Sequence, residues 1–173
     1  MKYIILGLIF FWVVPNFGDD TSTILSFIQA RYPSVGSANA REISQTIVTE
    51  CDAVDMDPFL IAAIIAVESK FDANARGRGG AAGLGQMMPG TYRLMGVSDP
   101  YDIHENIVGT VKYLNELFRY WKHSKMARRL SVASYNKGEI YFKRRGGKLN
   151  ASGRRYVAKI QRQYDRIEVL DMQ

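Results

Sequence analysis

Cysteine is almost absent: Cys51 stands alone among 173 residues, so no disulfide can form within the chain. Histidine is scarce too, with only His104 and His123. One thiol and two imidazoles are a poor basis for a structural zinc site. No apolar run reaches the roughly 20 residues that a membrane-crossing helix needs; the longest, residues 3–14, has twelve. Internal repeats and low-complexity segments are missing. The glycine-rich stretch 76–90 lacks the Gly-Lys-Ser/Thr ending of a phosphate-binding loop. What is present is ordinary: 47% hydrophobic and 23% charged residues, the balance of a globular protein. That excludes wholesale disorder, collagen and a multi-span membrane protein. A chain of 19.6 kDa can bury a core without disulfides or metal, as one domain with a short appendage.

The net charge is +6, and it is unevenly placed. Residues 19–111 hold 6 basic and 12 acidic side chains, whereas residues 112–173 hold 16 basic and 5 acidic. A basic C-terminal third suits a polyanionic partner; nucleic acid, anionic lipid and bacterial cell wall all qualify. At the other end, Lys2 precedes the run 3–14, and Pro15 breaks it. A positive start, a short apolar core and a helix breaker read as a secretory signal, or as an uncleaved N-terminal membrane anchor. Either reading takes the rest of the chain out of the cytoplasm, so no nucleic-acid partner is expected. The chain is then divided as signal or anchor (1–18), tether (19–38) and main domain (39–173).

Hydrophobic spacing predicts a mainly α domain of five to seven helices. Asn39 is a capping residue for a helix to about Val54, with Ile43, Ile47, Cys51 and Val54 on one face. Cys51 lies in that stripe and reads as core. Asp57-Pro58 opens a helix that is apolar on every side through Val67, as in a buried helix. Glycine-rich loop follows, then a short helix from Pro89. Asn106 and Ser152 are the capping residues expected for two later helices. Gly138 is a natural stop for a helix from about Met126. Residues 139–150 read as a hairpin around Gly146-Gly147 or as a mobile basic loop.

Glu68 breaks the pattern. Leu60, Ile64 and Glu68 are spaced by four, so the carboxyl continues an apolar wall. It also sits in the last turn, where the helix dipole disfavours negative charge. Burial and dipole both raise its pKa, and Lys70 points about 200° away round the helix. A carboxyl kept protonated near neutrality is what a general acid requires. The bland reading is a glutamate that reaches solvent at the helix end. Gln86, in the glycine-rich loop, reads equally as a ligand for a sugar hydroxyl or N-acetyl group and as a turn-stabilising amide.

Several motifs occur in order: Glu68-Ser69, the stretch 80–91 (GAAGLGQMMPGT), Asn106-Ile107, Tyr113-Leu114, the stretch 133–138 (ASYNKG) and Tyr156-Val157. The set resembles the lytic transglycosylase catalytic domain of the soluble-transglycosylase type, related to goose-type lysozyme, over residues 57–167. The resemblance implies a lysozyme-like single domain, with a Gly-rich loop or small hairpin bordering the cleft. It implies Glu68 as the single catalytic acid/base, and Gln86 and Met88 as cleft residues for the N-acetylated sugar. Tyr135 and Asn136 match the family's Tyr-Asn pair, whose tyrosine hydroxyl sits near the catalytic carboxyl. Tyr156 matches an aromatic that closes the cleft. Ser69 and Asp72 are supporting positions. The chain departs from the pattern at Gly85, where the family usually has Met, at Gly77, where it often has Ser, and at Ser134 and Lys137, where alanines are usual.

Water-using glycosidases generally need two carboxyl groups. Here Glu68 is one, and Asp72 is either a second or a hydrogen-bond partner of its own loop. The resemblance implies peptidoglycan as substrate and a non-hydrolytic cut that leaves a 1,6-anhydro muramoyl end, with no cofactor and no metal. Two alternatives remain: a hydrolytic muramidase, and a non-catalytic wall-binding assembly protein. Stand-alone domains of this kind also resemble the specialised transglycosylases of secretion, pilus, conjugation or phage systems, placed in the periplasm, on the inner membrane's periplasmic face or in a phage particle. The basic end reads either as a holder of anionic strands, wall peptides or a partner, or as a solvated face.

Overall fold

The computed structural model of the chain describes residues 17–172, so the signal or anchor reading of residues 1–18 falls mostly outside the described residues. Eight α-helices follow in order: α1 (Phe17–Arg31), α2 (Ser37–Asp52), α3 (Pro58–Glu68), α4 (Pro89–Leu94), α5 (Ile103–Trp121), α6 (Ala127–Lys137), α7 (Glu139–Lys143) and α8 (Ala151–Asp171). Short 3-10 turns occupy Pro33–Val35 and Arg78–Gly80. Among the described residues β-pairing is limited to isolated bridges, Arg76 with Ala82 and Ala82 with Met87. The expected mainly α architecture holds, and the Gly-rich element is a bridged loop.

The axis of the fold is α3. Asp57 caps it, its Oδ1 accepting the Phe59 and Leu60 amides at 3.0 and 3.3 Å. Every residue from Phe59 to Ala66 is buried, because α8, α2 and α1 pack around it. Full burial of each large aliphatic side chain contributes about 1.5–3 kcal/mol, so α3 is a main anchor of the core. α5 lies against α2 and α6, and α6 against α7 and α8. Cys51 is fully buried. Burial, then the charges of Asp57 and Glu50, push its thiol pKa far up, which makes it an inert core side chain.

Five expectations are corrected. Residues 19–31 of the expected tether belong to α1, whose Ile24, Phe27 and Ile28 are fully buried; the i, i+3, i+4 spacing forms one apolar stripe. α2 starts at Ser37 behind Gly36, ahead of Asn39. α5 is capped by Asp102, which accepts the Glu105 amide at 2.8 Å, leaving Asn106 buried inside the helix. α8 is capped by Asn150 in place of Ser152: its Oδ1 accepts the Gly153 amide at 2.8 Å while its Nδ2 donates to the Tyr141 hydroxyl at 2.7 Å. That tertiary bond chooses between two capping residues of similar propensity. Residues 139–150 are α7 and a turn through Gly146-Gly147, both at positive φ, with no strand pairing.

Candidate active site

Glu68 is the last residue of α3, and the chain turns sharply after it. Ser69 Oγ donates to the Ile65 carbonyl at 3.3 Å. Lys70 and Phe71 then adopt left-handed φ of 58° and 63°, which costs side-chain-bearing residues about 1–2 kcal/mol each. The reversal drops Phe71 into the core, with its ring 6.2 Å from Phe27 and 5.2 Å from Tyr32. α1 thus clamps the segment that follows the acid.

The Glu68 carboxyl is held above the usual carboxylate range, chiefly by burial. Two effects oppose this. The Tyr156 hydroxyl, reaching over from α8, donates to Glu68 Oε1, and the charge of Lys159 favours the ionised form. Tyr156 and Lys159 are three residues apart on α8, one face of that helix. The Tyr156 hydroxyl is itself pushed well above its ordinary pKa by burial and by Glu68, so it serves as a fixed neutral donor. Removing it with Tyr156→Phe takes a hydrogen bond from the ionised form, so the Glu68 pKa rises further. The alkaline limb of the pH–rate profile is expected to move to higher pH while turnover falls about tenfold; an unmoved limb would mean that the bond does not tune Glu68.

Asn106 and Tyr135 hold the loop facing Glu68. Asn106 is fully buried; its Oδ1 accepts the Gly85 amide at 2.8 Å, and its Nδ2 donates to the Ala82 and Pro100 carbonyls at 3.2 and 2.6 Å. The Tyr135 hydroxyl donates to the Gly85 carbonyl at 2.8 Å. Both polar groups of Gly85 are therefore bound by α5 and α6. A Cβ at Gly85 would overlap Thr110 Oγ1 and lie 2.6 Å from the Tyr135 hydroxyl, so the methionine usual in the family does not fit this arrangement. Gly77 is similar: a Cβ there would overlap Gln86 Oε1 and sit 2.9 Å from Ala81 Cβ. At Ser134, the third departure, Oγ accepts the Trp121 indole N–H at 2.9 Å.

Glu68, Gln86, Met88, Tyr135 and Asn136 line one cleft of about 580 Å³, together with Tyr113, Thr91, Arg78 and Lys137. Glu68 is the only carboxyl among its lining residues. Gln86 spends both amide hydrogens on the loop, at 3.0 Å to the Ala75 carbonyl and 2.9 Å to the Gly83 carbonyl. Those partners only accept, so the amide orientation is unambiguous and Oε1 is the atom left for a ligand. Met88 is 47% exposed on the rim, and Asn136 is exposed. Ser69 and Asp72 do not line the cleft. Asp72 is exposed and accepts the Asn74 amide at 2.9 Å, closing its own turn.

Tyr135 lines the cleft with Glu68, whose charge acts on it, whereas Tyr156 is not among the lining residues. The hydroxyl bonded to Glu68 is that of Tyr156, whereas Tyr135 anchors the loop. Four contributors escaped the sequence reading. Tyr113 packs its ring 5.3 Å from Tyr135, and burial raises its pKa to about 12. Lys159 is legible as i+3 from Tyr156, and Lys137 as a departure from the alanine usual in the family, but Arg78 carries no signal beyond its charge. A larger groove of about 800 Å³, lined by part of the basic end including Arg129, Arg154 and Arg162, holds no carboxyl among its lining residues. The buried carboxyl of Glu68 faces the smaller cleft. Among the described residues, no three His, Cys, Asp or Glu side chains stand close enough to share a metal ion.

Over 77 residues the chain is 36% identical to the "Transglycosylase" of Enterobacteria phage PRD1, covering 44% of this chain and 29% of that one. Over 82 residues it is 38% identical to the membrane-bound lytic murein transglycosylase F of Desulfosudis oleivorans, covering 46% of this chain and 18% of that one. The chain thus spans less than a third of the length of these relatives. Its fold is similar to the X-ray structure of an inactive Glu-to-Gln mutant of the lytic transglycosylase Slt from Pseudomonas aeruginosa, with a TM-score of 0.64 and 23% identity, covering 83% of this chain and 27% of that one. The Transglycosylase SLT domain family model matches residues 46–157, more than half of the chain, and the chain belongs to that family.

Proposed function

We propose that the protein is a peptidoglycan lytic transglycosylase that cleaves the β-1,4 bond between N-acetylmuramic acid and N-acetylglucosamine without water. The observation that carries this reading is a lone carboxyl, Glu68, with raised pKa and a tyrosine donor, in a cleft that has no second carboxyl among its lining residues. Protonated Glu68 gives its proton to the glycosidic oxygen as the bond from the muramoyl C1 breaks, with the N-acetyl group assisting. The resulting carboxylate takes the proton of the muramoyl C6 hydroxyl as its oxygen bonds to C1. The 1,6-anhydro ring closes, Glu68 is again protonated, and no water is consumed. Tyr156 steadies the carboxylate between the two steps.

The cleft amide Gln86, through Oε1, together with Asn136 and Met88, is proposed to hold the N-acetylated sugar. Local wall opening is the proposed role, outside the cytoplasm if residues 1–18 act as signal or anchor. Membrane anchoring through residues 3–14 belongs to the same proposal; among the described residues no helix is long and apolar enough to cross a membrane. The phage relative favours a phage particle among the assemblies such a domain could serve.

Mass spectrometry of soluble products from purified peptidoglycan tests the reaction. Muropeptides lighter by one water than reducing-end products are expected. Reducing-end products would instead establish a hydrolase, and release of nothing would favour the wall-binding alternative. Because Asp72 is occupied with its own turn, Asp72→Asn is expected to keep the rate within about twofold; a large loss would make it the second carboxylate.

A further inference from the structure

Two cations line the cleft with Glu68 and have no partner of their own. Arg78 is the only side chain of the stretch Gly77-Arg78-Gly79-Gly80. Lys137 ends α6 beside Asn136, in a position where the family pattern has alanine. Both are exposed and both border the cavity. The ion pairs among the described residues are Glu50 with His104, Glu116 with Arg119 and Asp57 with Arg128, so neither Arg78 nor Lys137 is in one. Neither side chain makes a hydrogen bond among the described residues. The cation acting on Glu68's own charge is Lys159. Two unspent positive charges therefore border the cleft, whose other lining groups besides Glu68 are neutral; the charge of Glu139 acts on Tyr113 from outside that lining.

We propose that Arg78 and Lys137 form a carboxylate-binding pair, which makes the cleft selective for anionic glycan strands over neutral N-acetylated ones. This rests on the glycan-cleaving reading above. Guanidinium and ammonium groups recognise carboxylates through charge-assisted hydrogen bonds. A glycan strand offers that chemistry from two sources: the lactyl carboxyl of muramic acid where the peptide has been removed, and the carboxylates of the peptide where it remains. Arg78 lies on the loop that also carries Gln86 and Met88, and Lys137 lies on the helix that carries Tyr135 and Asn136, so the pair engages the strand from two separate elements. The dipole of α6 could by itself favour a cation at position 137, but it gives no reason for Arg78.

The test compares wild type, Arg78→Gln and Lys137→Ala on three substrates. These are peptide-free strands with free lactyl carboxyls, the same strands with carboxyls converted to amides, and peptide-bearing strands. Equilibrium binding to each is measured alongside kcat and KM. Wild type is expected to show KM and Kd about five- to tenfold lower on charged than on amidated strands, at equal kcat. Each substitution should erase most of that preference, and raised salt should weaken it. A preference seen with peptide-free strands assigns the lactyl carboxyl; one seen only with peptide-bearing strands assigns the peptide. Equal affinity of wild type for charged and amidated strands overturns the pair, as does a loss in the variants that is the same on both. Binding preference without any cleavage would sink the enzymatic reading and leave the pair standing.

Discussion

Replacing Glu68 with glutamine is expected to lower cleavage about a thousandfold or more while making the protein more stable at neutral pH. The loss follows from removing the one group that both gives and takes the proton, an effect of about 10²- to 10⁴-fold for each such transfer. The gain follows from linkage. Burial raises the Glu68 pKa in the folded state, so between the unfolded and folded values the native state binds more protons than the unfolded chain. Stability from this group is complete below the unfolded pKa and is lost as pH rises through the folded one. Each tenfold change in proton affinity is about 1.4 kcal/mol. Glutamine keeps the acceptor for Tyr156 and carries no charge to bury. Thermal unfolding of both proteins at several pH values checks the sign: the two curves should converge toward acid pH and separate toward alkaline pH, with the variant above. A variant less stable at every pH would mean that the ionised carboxylate is stabilising, against the argument from burial.

The second large effect is structural and lies well outside the acid itself. Asn106→Leu is close to isosteric, but it leaves the Gly85 amide and the Ala82 and Pro100 carbonyls without their partner. A buried group stripped of its hydrogen bond costs about 1–3 kcal/mol. With some relaxation, a loss of about 3–5 kcal/mol is expected, on the order of 10 °C in Tm for a domain of this size. Cleavage should fall steeply even at temperatures where the protein stays folded, because the loop that places Gln86 and Met88 is released. Amide hydrogen exchange at Gly85 is the direct reading: it should accelerate far more than exchange within α3. If Gly85 stays protected, the Tyr135 bond to its carbonyl alone suffices to hold the loop.

The helices were legible because their signals are local. Asp57-Pro58, the all-apolar run after it and the stop at Gly138 each act within a turn or two of chain, and α3 and α6 lie close to where these signals place them. The starts of α5 and α8 differ from the expected ones for one cause. Each offered more than one capping residue, and the choice fell to a contact distant in sequence or to a role elsewhere. Asn106 is the clearest example, since the side chain suited to cap α5 is instead consumed inside the core by loop 82–100. α1 was underread for a related reason: its stripe is short, and its value appears only when Phe27 and Tyr32 meet Phe71.

The raised pKa of Glu68 was legible in the sequence, and the structure decides against the solvent-reaching alternative by burying the carboxyl. A carboxyl that continues an apolar helical face, at the end of a helix buried on all sides, has few ways to avoid a raised pKa. The ordered motifs around it were likewise enough to identify the family. Tertiary structure decided which tyrosine hydroxyl bonds the Glu68 carboxyl. Tyr135 and Tyr156 look alike in sequence, but the packing of α8 across α3 brings the Tyr156 hydroxyl to the carboxyl, and the packing of α6 on α5 directs Tyr135 to the loop. It also brought Lys159 near the carboxyl and Arg78 and Lys137 to the border of the cleft, for the same reason. Charge acts through space, and the distance between two side chains on different helices is written nowhere in their spacing along the chain.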